Sequence, residues 1–231
     1  MRHNNMKRIF PLSYCVDEIT PVYPGNTAVS FAMARQIRNG DSCNTFSLTI
    51  SNHSGTHIDA PKHFLDSGRA IGEYLFEELN SDKVCIVDCP KNEDELIGPD
   101  DLTAISNRND FDCLLIRTGF SKYRQSRNDI YCEHNPCFTP QAARWLRQNF
   151  LDLKLIGIDT ISLSSRAHKG VGSEAHRILF DKEGFKGGPI LVVEDMMLPG
   201  NIKKLDQLVI MPIFGGGIDS SPCAVLGVVH D

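Results

Sequence analysis

The strongest constraint on how this chain folds is a set of short apolar runs, each too brief for a helix and each closed off by Gly, Pro or Asp. They occupy residues 84–87, 113–116, 155–158, 190–193, 209–213 and 224–229 and are rich in β-branched side chains. Continuous rather than alternating hydrophobicity is what a strand covered on both faces requires. The expected fold class is therefore α/β, strand-rich with a few helices. A different pattern runs over residues 44–50, where Phe46, Leu48 and Ile50 alternate with polar residues, and predicts a strand with one buried face.

Helices are expected at two places. One opens at Pro99-Asp100-Asp101-Leu102. The other opens at Thr139-Pro140, where Thr caps, Pro fits the first turn, and Ala142, Ala143, Trp145, Leu146 and Phe150 make an apolar face. Residues 162–188 and 92–101 read as long loops, which in compact domains often carry function. No repeat or Pro/Ser-rich linker divides the sequence, so residues 1–231 form a single domain in this reading. Such a chain hides roughly 70–75% of its unfolded surface and needs no disulfide staples.

Charge and cysteine usage narrow the function classes. The net charge of −5, with no dense basic run, argues against nucleic acid as a partner. No apolar stretch reaches the length of a bilayer span, so no membrane segment is expected. The amino terminus MRHNNMKRIFPLSY lacks a secretory pattern, which places the eight cysteines, reduced, in the cytoplasm. Cys85 and Cys113 lie inside apolar runs and read as core residues. Cys132, His134 and Cys137 lack a second ligand pair nearby and read as a loop.

The segment from Ser51 to Phe64, S-N-H-S-G-T-H-I-D-A-P-K-H-F, gathers His53, His57, Asp59 and His63. Gly55, Thr56, Ile58 and Pro61 argue against a helix, so a strand end turning into a loop is expected. On extended backbone His57 and Asp59 point to one side, and Gly55 lets the chain bend to bring His53 in. Imidazoles and a carboxylate suit Zn, Mn or Fe, and a carboxylate can bridge two ions. His63, beyond the Pro61 turn, is placed to shuttle a proton, its ordinary pKa being about 6.5.

These residues resemble a family signature. The pattern H-x-G-T-H-x-D-x-P-x-H-F, here His53 to Phe64, is similar to that of the cyclase/kynurenine formamidase family of metal-dependent hydrolases, which also contains isatin hydrolase. Further motifs follow in the family's order: V-Y-P-G ending at Gly25, L-I-R-T-G ending at Gly119, G-I-D-T ending at Thr160, A-H-R-I-L ending at Leu179, V-V-E ending at Glu194, and G-G-G-I-D-S-S-P ending at Pro222. The resemblance implies a swivelling β/β/α (cyclase-like) fold. It implies one or two divalent ions per subunit, Zn or Mn, held by His53, His57, Asp59, His176 and Glu194, with His63 as proton donor and acceptor.

Glu183 competes with Glu194 as the carboxylate ligand, because the stretch between His176 and Glu194 is longer than in kynurenine formamidases. Glu194 is favoured because it ends an apolar strand. Tyr23 stands where those enzymes tend to have Trp and is the candidate substrate-binding aromatic. The implied activity is hydrolysis of an amide carbon–nitrogen bond in a small molecule by metal-activated water. An arylformamide such as N-formylkynurenine, from tryptophan catabolism, is the leading substrate and a cyclic amide or lactone the alternative. A homodimer or homotetramer is implied as well. A non-catalytic metal-holding protein and a thiol-based enzyme are the competing classes, the latter weakened because no cysteine is paired with a histidine in a nucleophile setting.

Overall fold

A computed structural model describes residues 7–230. The strands are β1 (Lys7–Pro11), β2 (Ser30–Arg35), β3 (Thr45–Thr49), β4 (His57–Asp59), β5 (Val84–Asp88), β6 (Leu96–Ile97), β7 (Cys113–Arg117), β8 (Cys137–Phe138), β9 (Leu155–Ile158), β10 (Leu191–Glu194), β11 (Gln207–Pro212) and β12 (Ser220–His230). The helices are α1 (Phe76–Leu79), α2 (Tyr123–Ser126), α3 (Asn128–Glu133), α4 (Pro140–Asn149) and α5 (Val171–Phe180). All six apolar runs become strands.

Eight strands form a curled mixed sheet in the order β1-β12-β4-β10-β9-β7-β5, with β11 on the other edge of β12. β5, β7, β9 and β10 run parallel, and β4 enters antiparallel between β10 and β12. This is a mixed α/β architecture, strand-rich with a few helices. Successive residues of the parallel strands serve opposite faces, as the pleat dictates. Leu114, Ile116, Ile156, Ile158 and Val192 pack beneath α4 and α5 with Ala142, Leu146, Ala175 and Leu179. Cys113, Leu115, Leu155, Leu191, Val193 and Ile58 fill the opposite face with Leu208, Ile210 and Val225. Both faces are covered, which is why these strands read as unbroken apolar runs.

Thr139 caps α4, its hydroxyl accepting from the Ala142 N–H at 3.2 Å. The segment after Gly98 is helical but winds as tighter 3-10 turns over Pro99–Ile105. Two expectations are overturned. The stretch 162–188 is not a loop throughout, because α5 lies inside it. Gly172, Ala175, His176 and Leu179 recur at helical spacing and are buried, but the preceding Gly and Ser residues mask that period. The strand at 44–50 forms as β3, yet every residue of it is exposed. It pairs only with β2 in a two-stranded ribbon apart from the main sheet, so Phe46 and Leu48 have no core to enter.

Candidate metal centre

The centre is assembled by strand register. His57 and Asp59 are two apart on β4, and Glu194, the last residue of β10, lies directly opposite His57. Directly paired residues share a face, so all three side chains project beneath α5, while Ile58 and Val193 between them enter the other core. Helix α5 contributes His176 from its buried side. Gly55, at φ +66°, makes the left-handed bend expected of it and returns His53 to the cluster. The site thus sits at the carboxyl end of a parallel strand, the usual place for ligands in α/β sheets.

The ligand-type atoms converge. His53 Nδ1 is 3.1 Å from Asp59 Oδ1, and His57 Nε2 is 3.6 Å from the same oxygen and 3.4 Å from Glu194 Oε2. His176 Nε2 is 3.2 Å from Glu194 Oε1. Two groups have mutual atom separations within 4.8 Å, His53-His57-Asp59 and Asp59-His176-Glu194, and Asp59 belongs to both. Asp59, His57, His176 and Glu194 are almost fully buried. His57 and His176 each bond a backbone carbonyl through Nδ1, of Gly55 and Gly172 respectively, at 2.8 Å. That directs both Nε2 atoms at the carboxylates.

His57 Nε2 and both oxygens of Asp59 are buried without a hydrogen-bond partner among the described residues. Buried orphans of this kind are costly, and here they face one another. A divalent cation bonding N and O at about 2.0–2.2 Å holds its ligand atoms at most about 4.4 Å apart, and the four contacts above, at 3.1–3.6 Å, lie within that span. The residues therefore fit a divalent metal ion. Electrostatics agree. Burial opposes charge on His57, but Asp59 and Glu194 outweigh it and lift the imidazole pKa to about 9. Burial likewise opposes ionisation of Asp59 and Glu194, yet the surrounding histidines hold both carboxyl groups below their usual range. The cluster attracts positive charge in whatever form is offered.

His63 sits at the pocket wall, half-buried, with Nε2 3.9 Å from Asp59 Oδ2. Its Nδ1 lies 2.8 Å from Asp219 Oδ2, the oxygen that also meets His53 Nε2 at 3.1 Å. The other Asp219 oxygen accepts from Asn52 Nδ2 at 2.8 Å. His53, His63 and Asp219 could also be counted as a ligand group, but direct hydrogen bonds already engage their atoms. Burial holds the His63 pKa below its ordinary value, with Asp59 partly opposing. Asp219 is the residue that sequence reasoning missed. It stands in the G-G-G-I-D motif, far in sequence from the histidines it meets.

Glu194 is fixed from behind. Its Oε1 accepts from the Leu163 N–H at 2.6 Å and the Ser162 hydroxyl at 3.0 Å. The next residue, Asp195, adopts φ +51°, and the buried Arg124 grips its carboxylate through two bonds of 2.7 Å, joined by Tyr131 at 2.6 Å. A non-glycine residue in this region is held by its surroundings. Glu183 lies exposed in the loop after α5, its N–H donating to Asp181, so Glu194 and not Glu183 is in the cluster. That longer loop is tied down by buried Arg147, which donates to the carbonyls of Asp181, Gly187 and Gly188.

A cavity of about 230 Å³ opens over the cluster, walled by Tyr23, Asn26, Phe64, Ile161, Ser164 and Ser173. Phe64 stacks on His176 at 4.7 Å and meets His63 edge-on at 4.4 Å. Tyr23 is half-buried, and burial, with Glu194 next, raises its pKa. All eight cysteines are free thiols, and Cys132, His134 and Cys137 form no ligand group among the described residues. No helix among the described residues is long and apolar enough to cross a membrane.

Residues 10–165 match the family described as "Putative cyclase". An uncharacterized protein of Haemophilus influenzae is 36% identical over 117 residues, 49% of this chain and 81% of that one. Cyclase-like protein 1 of Arabidopsis thaliana is 27% identical over 193 residues, covering 82% and 71%. Among solved structures, an isatin hydrolase bound to the product analogue thioisatinate superposes with a TM-score of 0.80 at 18% identity, covering 97% of this chain and 93% of that one. A potential metal-dependent hydrolase with cyclase activity superposes with a TM-score of 0.73 at 20% identity, covering 96% and 98%.

Proposed function

The chain belongs to the Putative cyclase family, and from that premise we propose that it is a metal-dependent hydrolase of a carbon–nitrogen bond in a small amide. The observation that carries the reading is the set of buried, unpartnered atoms of His57 and Asp59 facing Glu194, His53 and His176. His53, His57 and Asp59 would hold one ion and Asp59, His176 and Glu194 a second. When bound there, divalent cations supply Lewis acidity that polarises a carbonyl and lowers the pKa of water from 15.7 to about 7.

The chain's own groups do the rest. His63 is neutral near pH 7, since burial lowers its pKa. With Nδ1 engaged by Asp219, its Nε2 is free to take a proton from the attacking water and to return it to the departing nitrogen. The Asp219 bond sets the ring orientation and tautomer, as a carboxylate partner does for catalytic histidines. Phe64 keeps His63 and His176 from turning, and Tyr23 offers a face to an aryl ring at the pocket rim. An arylformamide such as N-formylkynurenine is the substrate that this arrangement favours, the small formyl end reaching the cluster.

A homodimer or homotetramer belongs to the same reading. The β2–β3 ribbon supports it, because Phe31 pairs with Leu48 and Met33 with Phe46 on one face. Met33, Phe46 and Leu48 are exposed, and isolated two-stranded ribbons are marginal without cover.

The experiment is a screen of N-formylkynurenine, isatin and simple lactones with Zn or Mn supplied. Turnover of the formamide that depends on metal supports the reading. Preference for isatin or a lactone moves the substrate to a cyclic amide or ester. Bound metal with no turnover of any compound overturns hydrolysis in favour of a metal-holding protein.

A further inference from the structure

We propose that the groove beside the metal pocket is an anion subsite, holding a carboxylate that the substrate carries at a distance from its scissile bond. The inference rests on the hydrolase reading above. The groove encloses about 410 Å³ and shares Tyr23, Ser164 and Ser173 with the metal pocket, so the two are continuous. The metal pocket, at about 230 Å³, is below the roughly 300–1,000 Å³ of ordinary ligand sites. Only the reacting end of a substrate fits there, and the remainder has to lie in the groove.

The groove's chemistry points to a negative charge. Arg166, His168 and Lys169 line it and no carboxylate does. Glu133 lies 3.5 Å from the Arg166 guanidinium, with both side chains about half exposed. That pair is weak and leaves Lys169, which has no ion-pair partner among the described residues, uncompensated. His168 Nε2 is 2.6 Å from the Asp94 carbonyl, which fixes the ring at the wall.

The first turn of α5 also faces the groove through Gly172 and Ser173. Gly170 stands at its N-cap at φ +82° with no side chain to cap the turn, and helix N-termini favour anions. Ser165 in the same wall keeps a buried hydroxyl with no hydrogen-bond partner. Gly172 lets α5 pack closely against the loop that carries Ser164 and Ser165, since a Cβ there would stand 2.4 Å from Ser164 Cα. Together these features suit a carboxylate more than a neutral or cationic substituent.

The test compares N-formylkynurenine with its methyl ester on metal-loaded enzyme, wild type and the double variant Arg166→Gln/Lys169→Gln. Both positions are exposed, so folding is checked simply by thermal melting. Two partly screened charges are worth about 10-fold in acid-over-ester preference in kcat/KM, expressed chiefly in KM and weakened by salt. The expected result is a preference for the acid in wild type that falls about 10-fold in the variant. An equal acid-to-ester ratio in the two proteins overturns the subsite while leaving the hydrolase reading intact. If neither compound is turned over, the formamide substrate is ruled out and calorimetry with kynurenine decides the subsite. Salt-sensitive binding lost in the double variant supports it, and equal or absent binding in both proteins overturns it.

Discussion

Asp59 is the residue on which both candidate ion sites depend, so Asp59→Asn is the most informative single change. It keeps side-chain volume and removes the charge. Structural four-ligand zinc sites bind with about 10–16 kcal/mol, so one ligand accounts for about 3–4 kcal/mol, or on the order of 10²–10³-fold in Kd. Because Asp59 belongs to both groups, the loss falls on both ions rather than one. A metal supplied at about 1,000 times Kd stabilises wild type by about 4 kcal/mol. For a chain of this length that raises Tm by about 8–16 °C. At the same concentration the variant sits at about 1–10 times its own Kd and gains only about 0.4–1.4 kcal/mol, or about 1–5 °C.

The quantity compared is the rise that metal produces within each protein, because the metal-free variant starts from a lower Tm. Without metal, Asp59 is a counter-charge to the buried His57 imidazolium, so removing its charge leaves that imidazolium less compensated and lowers the stability of the metal-free variant. The assay is a thermal scan with and without Zn or Mn, joined to elemental analysis after gel filtration. Full metal content in Asp59→Asn, together with a Tm rise equal to that of wild type, would refute the reasoning.

The remaining expectations concern protons, the shuttle and assembly. His57, lifted to about 9 when no cation is present, carries a proton that metal must displace. Apparent affinity therefore weakens as pH falls below 9, and calorimetry in two buffers near neutral pH should detect proton release, whose absence would contradict this. The same raised pKa stabilises the metal-free fold fully below pH 6.5, and that contribution is lost as pH rises through about 9. His63→Ala should retain both ions but lose about 10²–10⁴-fold in turnover. Asp219→Asn should lose about 10–100-fold, and full activity in either variant would remove that residue's assigned role. Phe46→Asp in the exposed ribbon should shift light-scattering mass toward the monomer, and an unchanged mass would separate the ribbon from assembly.

What could be read from the sequence follows from how local each signal is. The buried strands announced themselves because being covered on both faces leaves unbroken apolar runs. The His53–His63 segment was legible because its residues are close in sequence and Gly55 and Pro61 fix the local backbone. His176 and Glu194 came only from the resemblance, since nothing local says that α5 and the end of β10 converge on β4. Asp219 reaches His63 across a sequence separation of 156, and Arg124 reaches Asp195 across one of 71; such contacts leave no periodic trace. The one-sided pattern of β3 was real, but alternation says only that one face seeks cover. It does not say that the cover lies in the same chain.

The central claim is that His53, His57, Asp59, His176 and Glu194 hold divalent cations in one place. Anomalous X-ray scattering from crystals grown with Zn or Mn tests it directly. The account predicts a peak within about 2.0–2.3 Å of the imidazole nitrogens and carboxylate oxygens, bonded to His53, His57 and Asp59, and a second bonded to Asp59, His176 and Glu194. Peaks bound by other residues, or none in protein that still turns over substrate after chelation, would contradict it.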